Sequence, residues 1–273
     1  MNTIEFTKMQ ATGNDFVLVE TGDERDWPSL ARAMCARRFG IGSDGLILVT
    51  PSPAANVRMR MFNPDGSEAE ACGNGMRCLV KYAIEKGVAA PGEITVESMD
   101  GIRRARSVDK LIQVDMGEPI LAAERIPVKE TLDAVKDYPL EVGGRQLSLT
   151  CLSMGNPHAV CFIEEPVDGF PLAELGPLVE RHPFFPNRVN FEIANVIDTR
   201  TIRARVWERG AGETLSCGTG ACAIAVAARL HDYSSGDVDV NLPGGTLTVA
   251  WDGSGDVKLS GPAEVVFEGE WPD

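Results

Sequence analysis

The sequence contains no Cys-x-x-Cys pair, and its three histidines, His158, His182 and His231, are scattered through 273 residues. A structural zinc site needs clustered Cys and His ligands, so no metal is expected. Positive charge is also scarce: 26 Lys and Arg stand against 40 Asp and Glu, for a net charge of −14. That balance argues against nucleic acid as a partner, which needs a clustered basic surface. It leaves a small acidic substrate open, because one well-placed Arg can hold a carboxylate. The longest apolar run, Ala221–Ala228, is too short to cross a membrane. The opening residues MNTIEFTKMQ lack the basic-then-apolar pattern of a secretory signal. A cytoplasmic protein is expected. Its seven cysteines should then be reduced, and their odd number argues against a full disulfide framework.

What is present is a sequence written twice. Arg58-Met-Arg-Met-Phe62 is echoed by Arg203-Ala-Arg-Val-Trp207, 145 residues later. Ten residues beyond each aromatic stands a cysteine, Cys72 and Cys217. The match continues through Glu68 and Glu213, Gly73 and Gly218, Gly75 and Gly220. Towards the start, Gly13-Asn14 pairs with Gly155-Asn156 at a spacing of 142. Towards the end, Gly92, Val96, Gly101 and Gly117 pair with Gly236, Val240, Gly245 and Gly261 at 144. A register that drifts so little over a hundred residues marks an internal duplication.

Each copy reads as strands around one helix. Val57–Phe62 and Ile202–Trp207 alternate as short strands do. After Cys72, the apolar residues Met76, Leu79, Val80, Ala83 and Ile84 follow helical spacing, with Gly87 as a stop. The segment after Cys217, Ala221 to Leu230, is apolar nearly all round, as befits a helix enclosed by its own domain. Ile94–Glu97, Leu111–Met116, Val238–Leu242 and Thr246–Ala250 supply strands to enclose them. Two further helices are expected near Ser29–Arg38 and Leu172–Arg181. The reading is an α+β fold of two pseudo-symmetric domains, each a mixed sheet or barrel wrapped around a central helix. The expected boundaries are 1–118, completed by a C-terminal strand at 263–273, and 119–262. The active site is expected in the cleft between the two copies.

Cys72 precedes Gly-Asn-Gly and Cys217 precedes Gly-Thr-Gly, each at a helix start. The first N–H groups of a helix lack intrahelical partners and carry the positive end of its dipole. A thiol there should ionise more readily, and a carboxylate should find ready donors against the glycines. One carboxylate held by both helix starts would place a cysteine on either side of its α-carbon. Inversion at carbon calls for such a pair, one thiolate removing a proton and one thiol delivering another from behind. Donors aimed at the carboxylate would stabilise the charge that develops. Most cysteines only pack, and Cys35, Cys78, Cys151, Cys161 and Cys222 sit in apolar settings that suit that role. Two in register at helix starts do not.

These residues resemble the diaminopimelate epimerase family along essentially the whole chain. The resemblance is carried by Gly13-Asn-Asp-Phe16, Phe62-Asn-Pro-Asp-Gly-Ser-Glu68, Ala71-Cys-Gly-Asn-Gly-Met-Arg-Cys78, Gly155-Asn-Pro-His158, Arg188-Val-Asn-Phe191 and Glu208-Arg-Gly-Ala-Gly-Glu-Thr-Leu-Ser-Cys-Gly-Thr-Gly-Ala221. It implies a cofactor-free isomerase of lysine and peptidoglycan-precursor synthesis, with neither pyridoxal phosphate nor metal. The implied substrate is a diamino dicarboxylic acid, interconverted between LL and meso forms, and the implied assembly is a homodimer. Cys72 and Cys217 become the acid–base pair. Gly73-Asn74 and Gly218-Thr219 present backbone donors, while Asn14, Asn63, Asn156, Asn190, Glu208 and Arg209 line the substrate. Glu208 can hold an ammonium group and Arg209 can fork onto a carboxylate. Asn14 and Asn156 could equally serve their turns.

His158 stands where the first copy has Phe16, and could orient a cysteine or the substrate or simply pack. His182 and His231 read as surface residues. Gly45 occupies the place where some family members carry a substrate-contacting Gln, and its repeat mate is Asn190.

Rival readings remain. Another racemase or isomerase of the superfamily is disfavoured by the two cysteines together with the Glu208-Arg209 pair. A Cys-His hydrolase using His158 leaves the second cysteine unexplained. An amino-acid-binding protein would need no thiol.

Overall fold

Alternating and continuous apolar runs fold into strands through most of the chain. The computed structural model describes residues 3–69, 72–130 and 134–272. The chain divides into two compact units, Met1–Asp115 with Ser260–Asp273, and Met116–Leu259.

In chain order the first unit contains β1 (Thr3–Ala11), β2 (Asn14–Glu20), α1 (Trp27–Cys35), β3 (Gly45–Thr50), β4 (Val57–Phe62) and β5 (Glu68–Ala69). Then come α2 (Gly73–Glu85), β6 (Glu93–Ser98), β7 (Gly101–Val108) and β8 (Leu111–Asp115). The second unit continues with β9 (Val135–Val142), β10 (Arg145–Ser153), β11 (Pro157–Phe162), α3 (Leu172–Glu180), β12 (Asn190–Asp198), β13 (Thr201–Glu208) and β14 (Gly212–Thr214). It closes with α4 (Gly218–Leu230), β15 (Val238–Leu242) and β16 (Gly245–Ala250). The chain then returns to the first unit through β17 (Lys258–Gly261) and β18 (Glu264–Pro272).

The two units repeat one strand pattern. In the first, β18 and β2 flank β1, β2 pairs with β3 in parallel, and β3 pairs with β4, which runs parallel to β6. In the second, β9 and β11 flank β10, β11 pairs with β12 in parallel, and β12 pairs with β13, which runs parallel to β15. The fold is α+β, with two similar domains and mixed sheets.

The sheet of each unit packs around its own long helix. α2 contacts β1, β2, β3, β4, β7 and β8, and α4 contacts β10, β11, β12, β15 and β16. In α4 every residue from Ala221 to Ala228 is buried, which is why that stretch can be apolar on all sides. Each fully buried Ile or Val there, such as Ile224 or Val226, contributes about 1.5–3 kcal/mol.

The helix expected near Ser29–Arg38 is shifted towards the N-terminus. Asp26 caps it by accepting the Ser29 N–H, and the chain then doubles back, with Gly42 and Ser43 donating to the carbonyls of Met34 and Cys35. His231 is corrected more substantially. Its ring is 8% exposed, edge-on to Phe162, stacked on Tyr233, and bonded to the Thr150 hydroxyl at 2.8 Å. His182 is half-buried, and its Nδ1 accepts the Phe184 N–H.

One ion pair recurs in both units. Arg60 forks onto Glu68 at 2.8 and 3.1 Å, and Arg205 forks onto Glu213 at 2.7 and 3.0 Å. Arg205 also donates to the carbonyls of Val167 and Phe170. Arg205→Lys should therefore cost about 1–3 kcal/mol more than Arg60→Lys. Parallel urea melts of the two variants check this, and equal losses would contradict it.

Candidate active site

Cys72 and Cys217 hold the N-cap positions of α2 and α4 in nearly the same backbone conformation. Their φ and ψ are −115° and 124°, and −124° and 116°. Each carbonyl accepts the first turn's hydrogen bond, from Met76 and from Ala221. The two halves surround these thiols differently.

In the first unit Cys72 is half-buried, with Sγ 3.8 Å from Asn14 Oδ1. Asn14 begins β2 immediately after the Thr12-Gly13 turn, both residues of which have positive φ. The Asn14 amide is fixed at both ends. Its Nδ2 donates to Asp44 Oδ2 at 2.6 Å, and its Oδ1 accepts from Asn74 Nδ2 at 3.3 Å. Asp44 also accepts the Asp15 N–H, while Arg37 bridges the Asp44 and Asp15 carboxylates. Buried Lys8 completes the group by donating to Asp15 and to the Gly42 carbonyl. Burial by itself would raise the Asp15 carboxyl, but Arg37 and Lys8 outweigh it and hold it below its ordinary value.

Asn63 lies just beyond β4, where its Nδ2 meets the Ser67 hydroxyl at 3.0 Å. Gly73 opens α2, and Asn74 is 2% exposed. Gly45 sits opposite Phe16 across the β2–β3 pair. A Cβ there would lie 3.0 Å from the Phe62 carbonyl oxygen, so the neighbouring strand has closed over this position. Ala71 of the cysteine segment lies outside the described residues.

In the second unit Cys217 is buried, and its sulfur accepts the Gly220 N–H at 3.3 Å and meets the Thr219 hydroxyl at 3.4 Å. The sequence suggests a thiol that ionises readily. Cys217 is the reverse. Burial, and then the negative charges of Glu208 and Glu192, push its thiol well above the ordinary value, despite the helix N–H groups. Cys78 and Cys161, which only pack, are also raised by burial, to about 12 and about 11.

Glu208 accepts from the Thr214 hydroxyl at 2.5 Å. Arg209 is exposed, its guanidinium touching the Asn187 carbonyl while its N–H donates to Asn190 Oδ1 at 2.8 Å. Asn190 also donates to the Pro157 carbonyl, so it ties β11 and β12 to the turn that carries Glu208 and Arg209. Asn156 precedes β11 and its Oδ1 lies 2.9 Å from His158 Nε2. The other His158 nitrogen is 2.6 Å from Glu192 Oε1, both side chains being fully buried.

Three acids in this framework are not among the residues the sequence singles out. Asp44 holds Asn14, and Glu192 holds His158. Glu180 accepts from Trp207 Nε1 and from Gly210 N–H, on either side of Glu208 and Arg209. The repeat could have pointed to Glu192, whose mate in the first copy is the apolar Ile47.

Solved structures share this architecture. A hydroxyproline epimerase from Agrobacterium vitis superposes with a TM-score of 0.69 at 16% identity, covering 98% of this chain and 92% of its own. A phenazine biosynthesis protein of the PhzF family from Bacillus anthracis gives 0.69 at 18%, over the whole of both chains. The fold is thus one that this hydroxyproline epimerase also has. Sequence narrows it further. The family model for diaminopimelate epimerase matches residues 6–122 and again 150–266. Diaminopimelate epimerases from Moorella thermoacetica and Acetivibrio thermocellus are 50% and 48% identical, each over 98% of this chain and 99% and 98% of their own. The chain belongs to the diaminopimelate epimerase family and is an isomerase, an amino-acid epimerase. No helix among the described residues is long and apolar enough to cross a membrane.

The Cys217 environment makes a chemical prediction. Its alkylation by iodoacetamide should be slow at neutral pH and still accelerating above about 9, the ordinary thiol value. Peptide mapping by mass spectrometry reads this directly. A labelling midpoint below 8 would contradict it.

Proposed function

We propose that the chain interconverts LL- and meso-diaminopimelate by passing protons through Cys72 and Cys217 on opposite faces of one α-carbon. The observation that carries this reading is the duplication of a cysteine at the same backbone position of two enclosed helices. A hydrolase or a binding protein has no use for the second thiol.

Cys217 enters as the acid, since burial and two nearby carboxylates keep its proton on. Cys72 then acts as the base on the opposite face. After one inversion the proton inventory is exchanged, and the reverse reaction uses the same pair with roles swapped. The N–H groups of Gly73, Asn74, Gly218 and Thr219 would receive the substrate carboxylate, and would strengthen their hold as negative charge develops on it. Loss of one such donor typically costs about 3 kcal/mol of barrier.

The two copies differ where an asymmetric substrate must be held. Glu208 stands where the first copy has Asn63, and Arg209 where it has Pro64. Glu208 would take the ammonium group and Arg209 the distal carboxylate, with Asn14, Asn63, Asn156 and Asn190 around them. We further propose a cytoplasmic homodimer serving lysine and peptidoglycan-precursor synthesis, with no cofactor required.

The direct experiment is incubation with LL-diaminopimelate in D₂O under reducing conditions without added cofactor, followed by proton NMR. The meso isomer should form, with deuterium at the inverted carbon. Turnover of proline but not of diaminopimelate, or a strict need for pyridoxal phosphate, would overturn the reading. Arg209→Lys should cost about 1–3 kcal/mol in kcat/KM, because an ammonium cannot reproduce the planar fork. Unchanged kcat/KM would remove Arg209 from the distal carboxylate.

A further inference from the structure

The two repeats place different chemistry beneath the same turn. Across β2 and β3, Phe16 lies opposite Gly45, with Ile47 two residues on. Across β11 and β12, His158 lies opposite Asn190, with Glu192 two residues on, in the same parallel register. The side chains of Phe16, Ile47, His158 and Glu192 all belong to fully buried residues.

The third residue after the capping cysteine's carbonyl turn shows where each pair sits. A Cβ added to Gly75 would meet Ile47 Cδ1 at 2.9 Å, with Phe16 Cζ at 3.7 Å. A Cβ added to Gly220 would meet Glu192 Oε1 at 3.1 Å and the sulfur of Cys217 at 3.3 Å. An apolar pair therefore suffices to support one helix start, while the other rests on a buried acid and a buried imidazole.

Stability does not account for the exchange. A buried carboxylate loses its hydration, and an apolar replacement of similar shape is often neutral or stabilising. Glu192 Oε2 has no hydrogen-bond partner among the described residues, which adds to the penalty.

We propose that Glu192, which lies against the Gly220 turn after Cys217, is a positioning residue of the second half-site and fixes the Asn156 amide through His158. The inference rests on the reading in which Asn156 lines the substrate. The geometry defines how it works. Glu192 Oε1 meets His158 Nδ1 at 2.6 Å, and His158 Nε2 meets Asn156 Oδ1 at 2.9 Å. The atom facing Nε2 is an amide oxygen, so the ring donates there, while Nδ1 and Oε1 share the bond on its other side. Asn156 Oδ1 is thereby committed as an acceptor, and its Nδ2 donors turn away from the ring. Asn14 is held in the other sense, its Nδ2 spent on Asp44 and its Oδ1 facing the Cys72 sulfur. The equivalent asparagines thus present opposite ends of their amides.

Two variants test this. Glu192→Gln removes the carboxyl group while keeping the shape. The double variant His158→Phe with Glu192→Ile installs in the second half the pair that already packs in the first. Both should fold, with the double variant melting no lower than wild type. The wild type should show a far-downfield ring N–H proton resonance assigned to His158, and both variants should lose it. On diaminopimelate both should lose on the order of tenfold or more in kcat/KM, the scale of a misplaced contact. A folded double variant with wild-type kcat/KM, or a wild type without the downfield proton, would overturn the inference alone. A wild type inactive on diaminopimelate would instead overturn the functional reading on which it rests.

Discussion

The start of a buried helix is the constraint on which everything else in this molecule depends. α2 and α4 each begin with N–H groups that have no partner inside the helix, and in each the preceding residue is a cysteine in extended backbone. Enclosing a helix within a sheet leaves its N-terminus as the natural place for something polar to approach. Glycines in that first turn keep the approach open. The rest of each unit, from the strand pairs that surround the helix to the recurring Arg–Glu fork, holds that terminus in place.

Duplication supplies two such termini, and the sequence then differentiates them. Cys72 is half-buried and lies beside an asparagine clamped by Asp44. Cys217 is buried, near two carboxylates, and keeps its proton. The helix dipole favours a thiolate at both positions, yet at Cys217 loss of solvent outweighs it. A two-base reaction needs one partner charged and one neutral at the outset.

Much of this was legible in the sequence because duplication amplifies weak signals. Alternation in Val57–Phe62 alone is a modest strand signal; repeated at Ile202–Trp207, with a cysteine ten residues beyond each, it fixes the helix starts as well. The ionisation of Cys217 was not legible, because it depends first on burial, and then on the charges of Glu208 and of Glu192, the latter 25 residues away in sequence. Asp44, Glu180 and Glu192 were missed for the same reason: an acid in a strand or loop looks solvated until its neighbours are known. His231 was misread because the aromatic pocket of Phe162 and Tyr233 assembles from residues some 70 positions apart. Local pattern reaches the elements and their caps, while the polar framework behind the site is a product of tertiary packing.

On the proposed two-base reading, the two thiols address opposite faces of one carbon. A diaminopimelate analogue with a leaving group on its β-carbon tests it most directly, because proton removal is then followed by elimination and no second proton is needed at the α-carbon. With either Cys72 or Cys217 replaced by Ala, each variant keeps one base. Elimination should be measured on both α-stereoisomers of the analogue. Each variant is expected to process one stereoisomer and to fail on the other, with opposite preferences. If both variants consume the same stereoisomer, or one still epimerises at the wild-type rate, the two cysteines do not share the carbon and the account fails.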